Sequence, residues 1–332
     1  MTSRRDRVLQ ATAEATRILD QFPVEHRTSF DVIRAVSQLG YPIVFRPTTK
    51  LLGATISFGD VGPGIIITTN RSLATQRFTL AHELGHLVLG HKLENEMLTK
   101  EMDALVPTDS WSPGEAAAHG FASELLGHRK LISAIASKRG WEHSQITDPA
   151  IVYQLALRLG LSFQATCWAL ARHRLIAEQV AAHMASTTSL KKIKGGLIGR
   201  YQSEDPWADA WQVTPGDAGA TLECGPNDVF AVPVEENASS GYIWEIEKGG
   251  SSFEILEENA KFPKTYGGDS TRVLLLRSKA TGTLNLTLEH RRPWNRQRLS
   301  IRVFAMENSG KEEEGFPRYV KRTMLEGGHA HV

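Results

Sequence analysis

Over the first 185 residues apolar positions recur mostly at helical spacing, interrupted by one stretch of short alternating runs. Val8, Thr12, Ala15 and Ile18 share a face and predict a helix over residues 5 to 20. A second helix is predicted over Phe30 to Leu39, stopped at Gly40. Pro42 to Phe45, Gly53 to Phe58 and Gly64 to Thr69 read as three strands set off by Gly and Asp turn residues. Between Ser72, a good N-cap, and Gly90, a good C-cap, Leu80, Leu84, Leu87 and Val88 form one apolar stripe of a long helix. A loop from about 92 to 110 precedes a helix opened by Ser112-Pro113-Gly114-Glu115. Further helices are predicted over 131 to 139, 149 to 159 and 163 to 176, the last continuing to about Met184.

The texture changes after residue 185. The basic run Lys191-Lys192-Ile193-Lys194, a Gly-Gly pair and two tryptophans in an acidic setting read as a linker over 186 to 214. Beyond it the period becomes two. Strands are predicted over 228 to 234, 242 to 246, 253 to 257, 271 to 277, 282 to 289 and 298 to 305, a rhythm that favours an antiparallel sandwich over 215 to 308. Residues 309 to 332 read as a polar tail. Two domains also suit the length, because 332 residues exceed what one core commonly supports.

Composition narrows the chemistry. A net charge of +1 gives no global attraction to nucleic acid or membrane. Apolar runs such as Gly64-Ile65-Ile66-Ile67 are too short to span a bilayer, and no apolar leader opens the chain. Cys167 and Cys224, in separate halves, read as reduced thiols of a cytoplasmic protein. Residues 148 to 176 have the rhythm of a helix-turn-helix, with Arg158, Arg172 and Arg174 as positive charge, but a helical pair closing the first domain is the favoured reading.

The sharpest motif is His82-Glu83-Leu84-Gly85-His86. Two histidines four apart on a helix project from one face and can bind one Zn²⁺, with Glu83 beside them to take a proton from a water held there. A metal bound by three protein ligands keeps a position for that water. The extended pattern with His six residues beyond the second histidine is absent, since Lys92 stands there. His91 reads as a histidine favourable to the helix C-terminus. Glu115 can be a third ligand or the acidic member of a capping box, and helix grammar alone leaves both open. His119, four residues on, shares its face and is a candidate for supporting hydrogen bonds or an oxyanion donor.

Arg77 to Leu89 resembles the active-site helix of the ImmA/IrrE family of metallopeptidases, and Glu115, Ala118, Phe121, Ala122, Leu125 and Leu126 match its second block. His119 stands where the family has Asn, and Gly127-His128 where it has Met-Pro. The resemblance spans about residues 5 to 180 and implies an α+β zincin-like domain, a small sheet beside a helical bundle, with His82, His86 and Glu115 holding Zn²⁺ and Glu83 as general base. Three places in the second half resemble the chagasin family of cysteine-peptidase inhibitors, an immunoglobulin-like sandwich. They are Asn237-Ala238-Ser239-Ser240-Gly241-Tyr242-Ile243-Trp244, Tyr266-Gly267-Gly268 and Arg292-Pro293-Trp294. In that family the three loops cluster at one end, which implies partner-binding roles for Asn237, Ser239, Ser240, Gly241, Gly267, Gly268, Arg292, Pro293 and Trp294.

The expectation is a cytoplasmic zinc endopeptidase that cuts a protein substrate, typically a helix-turn-helix repressor, in stress response, mobile-element control or phage defence. The second domain would contact a protein. The competing expectations are an inhibitor that blocks a cysteine peptidase with these loops, and a DNA-binding regulator using residues 148 to 176; DNA is the less favoured partner.

Overall fold

The computed structural model describes residues 3–22, 28–57, 62–91, 98–99, 111–199, 201, 205, 207–236, 240–247, 252–261, 270–295 and 297–327. Its first part is mainly helical. In chain order it has α1 (Arg4–Gln21), α2 (Val32–Gln38), β1 (Ile43–Arg46), β2 (Leu51–Ser57), β3 (Pro63–Thr68), α3 (Leu73–Val88), β4 (Leu98–Thr99), α4 (Pro113–Leu126), α5 (Arg129–Arg139), α6 (Pro149–Leu159), α7 (Phe163–Arg172) and α8 (Glu178–Thr187). The strands form one sheet in the order β1-β3-β2-β4, with β1 parallel to β3 and the other pairs antiparallel.

Helix α3 is buried along nearly its whole length rather than on one stripe, because it lies between the sheet and α4. Leu80 and Leu84, fully buried, join Ile65 and Ile67 of β3 and Phe121 of α4 in one apolar core. Burial of each leucine contributes about 1.5–3 kcal/mol. Gly85 explains the closeness of the two helices: a Cβ there would lie 3.1 Å from the Phe121 ring and 3.2 Å from the Ala118 Cα. The helix expected to run from 163 to 184 breaks in two. Arg174 takes the left-handed region at φ 56°, and the Leu175 N–H closes back on the Leu170 carbonyl at 2.9 Å, a helix-ending turn.

The second part is all-β. It comprises β5 (Ala210–Gln212), β6 (Thr221–Cys224), β7 (Val229–Glu236), β8 (Ile243–Ile246), β9 (Phe253–Lys261), β10 (Ser270–Ser278), β11 (Gly282–Arg291) and β12 (Arg298–Asn308). Helix α9 (Leu190–Ile198) precedes these strands and α10 (Arg318–Gly327) follows them, with Leu190, Ile193 and Tyr319 packed on the first core. Two four-stranded sheets, β5-β7-β10-β9 and β6-β12-β11-β8, enclose one core containing Trp211, Phe230, Leu276, Leu288 and Phe304. Most pairs are antiparallel, but β5 joins β7, and β6 joins β12, in parallel. Cys167 and Cys224 are separate buried thiols.

Two segments carry structure that their polar composition hid. Within 186–214, read as a linker, lie α9 and β5, and β5 supplies the fully buried side of Trp211 to the second core. Within 309–332, read as a tail, Gly315 bridges to Phe45 on the outer edge of β1, with N–H to carbonyl distances of 2.8 and 2.9 Å. The Gln76 side chain of α3 accepts from the Glu312 N–H at 2.8 Å and donates to its carbonyl at 3.0 Å.

The two parts meet through buried charge. Arg77 of α3 pairs with Glu223 of β6, and Ser29 donates to the same carboxylate at 2.8 Å. Asp217 takes Arg158 of α6 at 2.8 and 3.0 Å, and Arg139 of α5 as well. Arg158 is therefore committed inside the molecule and is not available as positive charge on a helix-turn-helix surface. Strands β7 and β11 run from this docked end to the far end of the second domain. The N-terminus of β7 bonds to Asp209, itself held by Tyr153 of α6 at 2.8 Å. Glu236 at its other end accepts from the Trp244 N–H at 2.7 Å.

Candidate metal centre

Helix α3 is opened by Ser72, whose hydroxyl accepts from the Thr75 N–H at 3.3 Å, and it carries both histidines on the face that meets α4. The His82 and His86 Nε2 atoms lie 3.0 Å apart. Glu115 reaches them from the first turn of α4, with Oε2 3.0 Å from His82 Nε2 and Oε1 3.1 Å from His86 Nε2. His82 and Glu115 are buried, and His86 is the most exposed of the three.

Both readings of Glu115 have a place in this geometry. Its backbone N–H is capped by the Ser112 hydroxyl at 3.2 Å, as a third helical residue should be. Its carboxylate turns to the histidines. Burial would raise its carboxyl pKa, but the hydrogen bonds to His82 and His86 outweigh that and hold it well below the usual carboxylate range.

Three groups with lone pairs converging on one point are a donor set for a cation. Ligands 2.0–2.1 Å from a tetrahedral Zn²⁺ stand about 3.3 Å from one another, and the three donor atoms found here all lie within 4.8 Å of one another at the spacings given above. The residues present therefore fit a small divalent ion. Among the described residues no other group of His, Cys, Asp or Glu meets the same test.

Glu83, one residue beyond His82, is buried, and its carboxylate accepts from the Thr55 hydroxyl of β2 at 2.8 Å. Burial pushes its pKa up, against the opposing pull of His82 and His86. Thr55 had no signal in the sequence beyond its place in a strand; only the packing of β2 against α3 puts it beside the base. His119 is not part of the cluster. Its Nδ1 lies 3.4 Å from the Ser123 hydroxyl, and its ring is packed on Phe78 and Trp111, with centroids at 5.3 and 4.8 Å. His91, read as a helix-end charge, instead has a pKa lowered by burial first and by neighbouring His86 second, which favours the neutral ring.

In the second domain the described parts of two loops converge at the free end. The Arg292 Nε donates to the Ser240 carbonyl at 3.1 Å, and its guanidinium lies 4.6 Å from the Tyr242 ring centroid. Trp294 lies over Gly241, where a Cβ would come within 2.7 Å of the indole, yet it is 75% exposed. Pro293 sits between these two residues in the turn. Asn237, Ser239, Gly267 and Gly268 lie outside the described residues. Trp244 is a core residue, stacked on His290 at 4.7 Å.

Residues 36–171 match the family model of the IrrE N-terminal-like domain, Peptidase_M78. Residues 225–307 match that of the chagasin family peptidase inhibitor I42. Amoebiasin-2 of Entamoeba histolytica is 29% identical over 87 residues, covering 25% of this chain and 71% of its own. The crystal structure of the cysteine protease inhibitor EhICP2 from Entamoeba histolytica is 24% identical and covers 31% of this chain and 99% of that one, with a TM-score of 0.28. The structure of PbICP-C in complex with falcipain-2 is 14% identical and covers 33% of this chain and 94% of that one, with a TM-score of 0.18. No helix of the described residues is long and apolar enough to cross a membrane.

Proposed function

We propose that this chain, an IrrE N-terminal-like metallopeptidase domain joined to a chagasin-family domain, is a zinc-dependent endopeptidase that makes a limited cut in a regulatory protein. A helix-turn-helix repressor governing stress response, a mobile element or phage defence is the substrate we favour. The convergence of His82, His86 and Glu115 with Glu83 beside them carries this reading. These three would hold Zn²⁺, which when bound lowers the pKa of water from 15.7 to about 7 and polarises a carbonyl.

The protein's own groups do the rest. Glu83, desolvated and therefore more basic than a free carboxylate, takes the proton of the attacking water. The same carboxyl then gives it to the leaving amine nitrogen, while the Thr55 hydrogen bond keeps one carboxylate oxygen oriented. Strand β2 offers a place for substrate. Its outer side pairs with β4 only at Leu51 and Gly53, so among the described residues 54–57 have an unpaired edge. A substrate segment adding there by β-augmentation would run past Thr55 and hence past Glu83.

The zinc-loaded chain should cut a repressor of this class at one site, seen by mass spectrometry, and chelator should abolish the cut. Absence of any cut, together with tight inhibition of a papain-like peptidase by the chain, would replace this reading with the inhibitor one. That alternative is supported by the chagasin-family match.

The second domain is assigned to substrate recruitment. Its loops 240–242 and 292–294 lie at the end remote from the docked face, so they point to a separate protein rather than back to the domain's own partner. Trp294→Ala should raise KM for the regulator at least about fivefold, the scale of an aromatic anchor, and leave kcat and zinc content alone. An unchanged KM would remove Trp294 from the recognition surface.

A further inference from the structure

His86 stands at the last turn of α3, and the way this helix ends determines what touches its second nitrogen. Leu89 is the C-cap, and Gly90 follows it in the left-handed region at φ 65°. The Gly90 N–H bonds to the Leu87 carbonyl at 3.2 Å, and the His91 N–H to the His86 carbonyl at 3.0 Å. This pair of bonds is a Schellman turn, which brings the residue two beyond the cap back beside the residue three before it. Here those two residues are His91 and His86. Their Nδ1 atoms lie 3.2 Å apart, with ring centroids at 5.0 Å and planes at 76°. On its other side His91 packs on Gly114, immediately before Glu115, at 3.7 Å from the position of a Cβ there.

His86 faces His82 and Glu115 through Nε2. A neutral imidazole that offers a lone pair at Nε2 must carry its proton on Nδ1, and that N–H needs an acceptor. His91 Nδ1 is the nitrogen placed to accept it, with its own proton on Nε2. We infer that His91 is a positioning residue for the metal centre: it fixes the tautomer and ring orientation of His86 from behind. This rests on the metal-centre reading of His82, His86 and Glu115 and adds a fourth residue to it. The pattern is written in the sequence as a ligand histidine followed at four and five residues by Gly90 and His91, so the same turn that stops the helix supplies the supporting group.

Competition with a chromophoric chelator would measure the Zn²⁺ affinity of the full chain and of two variants. His91→Leu keeps apolar bulk and removes the acceptor, and should weaken zinc binding about 10–100-fold, the scale for lost outer partners of a ligand histidine. His91→Asn sets an amide oxygen where Nδ1 was, and should bind within about threefold of wild type. Metal-free melting temperatures of all three forms should agree, which separates positioning from a packing defect. Wild-type affinity in His91→Leu, or a loss in His91→Asn as large as in His91→Leu, would overturn the role of His91 while leaving the metal centre standing. Failure of the wild-type chain to bind zinc would instead bring down the metal-centre reading, and His91 with it.

Discussion

Glu83→Gln is expected to keep about one zinc per chain and to lose cleavage of the regulator by at least about a hundredfold, the scale of a general base. The amide preserves shape and can still accept from the Thr55 hydroxyl, which lies 2.8 Å from the native carboxylate. It cannot accept a proton from water. On the proposed ligand set of His82, His86 and Glu115, metal content should be unchanged in this variant and fall in His82→Ala and Glu115→Ala. Elemental analysis and cleavage measured on the same preparations give a crossed test. Retained cleavage in Glu83→Gln would remove Glu83 as the base. Full metal affinity in Glu115→Ala would reduce Glu115 to the capping role that its backbone already fills with Ser112.

The convergence of His82, His86 and Glu115 was legible because its pieces are local. Two histidines four apart need only a helix to share a face, and the capped start at Ser112 fixed where Glu115 enters the next helix. What joined them was a tertiary contact through Gly85, visible in the sequence only as an interior glycine that had to have a reason. The placement of Thr55 beside Glu83 and of His91 beside His86 was not legible, the first because Thr55 comes from a strand packed across the domain, the second because side-chain direction after a helix stop depends on the turn type. The alternating strands of the second domain followed their period. Helix α9, strand β5 and the bridge at Gly315 did not, because a short polar segment that is stabilised by partners elsewhere carries no period of its own. The buried ion pairs between the two parts also decide what a chain cut after residue 185 would report. Such a cut would strip the partners of Arg77, Arg139 and Arg158, so loss of cleavage in such a fragment would report on folding as much as on recruitment.

Asp217→Ala is expected to be the most destabilising single change away from the metal centre. The Asp217 carboxylate is 1% exposed, and it faces the Arg158 and Arg139 guanidiniums, which are 0% and 2% exposed. Two buried cations share this one anion, the Thr214 N–H also donates to it at 2.9 Å, and the ring of Trp211 lies 5.6 Å from Arg158. Removing the carboxylate leaves both cations without their counter-charge, and breaking a buried pair from one side costs about 3–5 kcal/mol. The remaining bonds of Arg158 to the Gln154 and Gln212 carbonyls, at 2.8 and 2.9 Å, satisfy donors but do not neutralise charge. Denaturant unfolding followed by tryptophan fluorescence should show the cost in the transition that parts the two domains, since a two-domain chain need not unfold in one step. Arg158→Met in the Asp217→Ala background should recover part of the loss, because it removes one of the stranded cations. A cost below about 1 kcal/mol for Asp217→Ala, the range of an exposed pair, would mean that the two domains do not dock through this network in solution. The distal placement of the 240–242 and 292–294 loops, on which recruitment rather than self-contact was argued, would then have to be reconsidered.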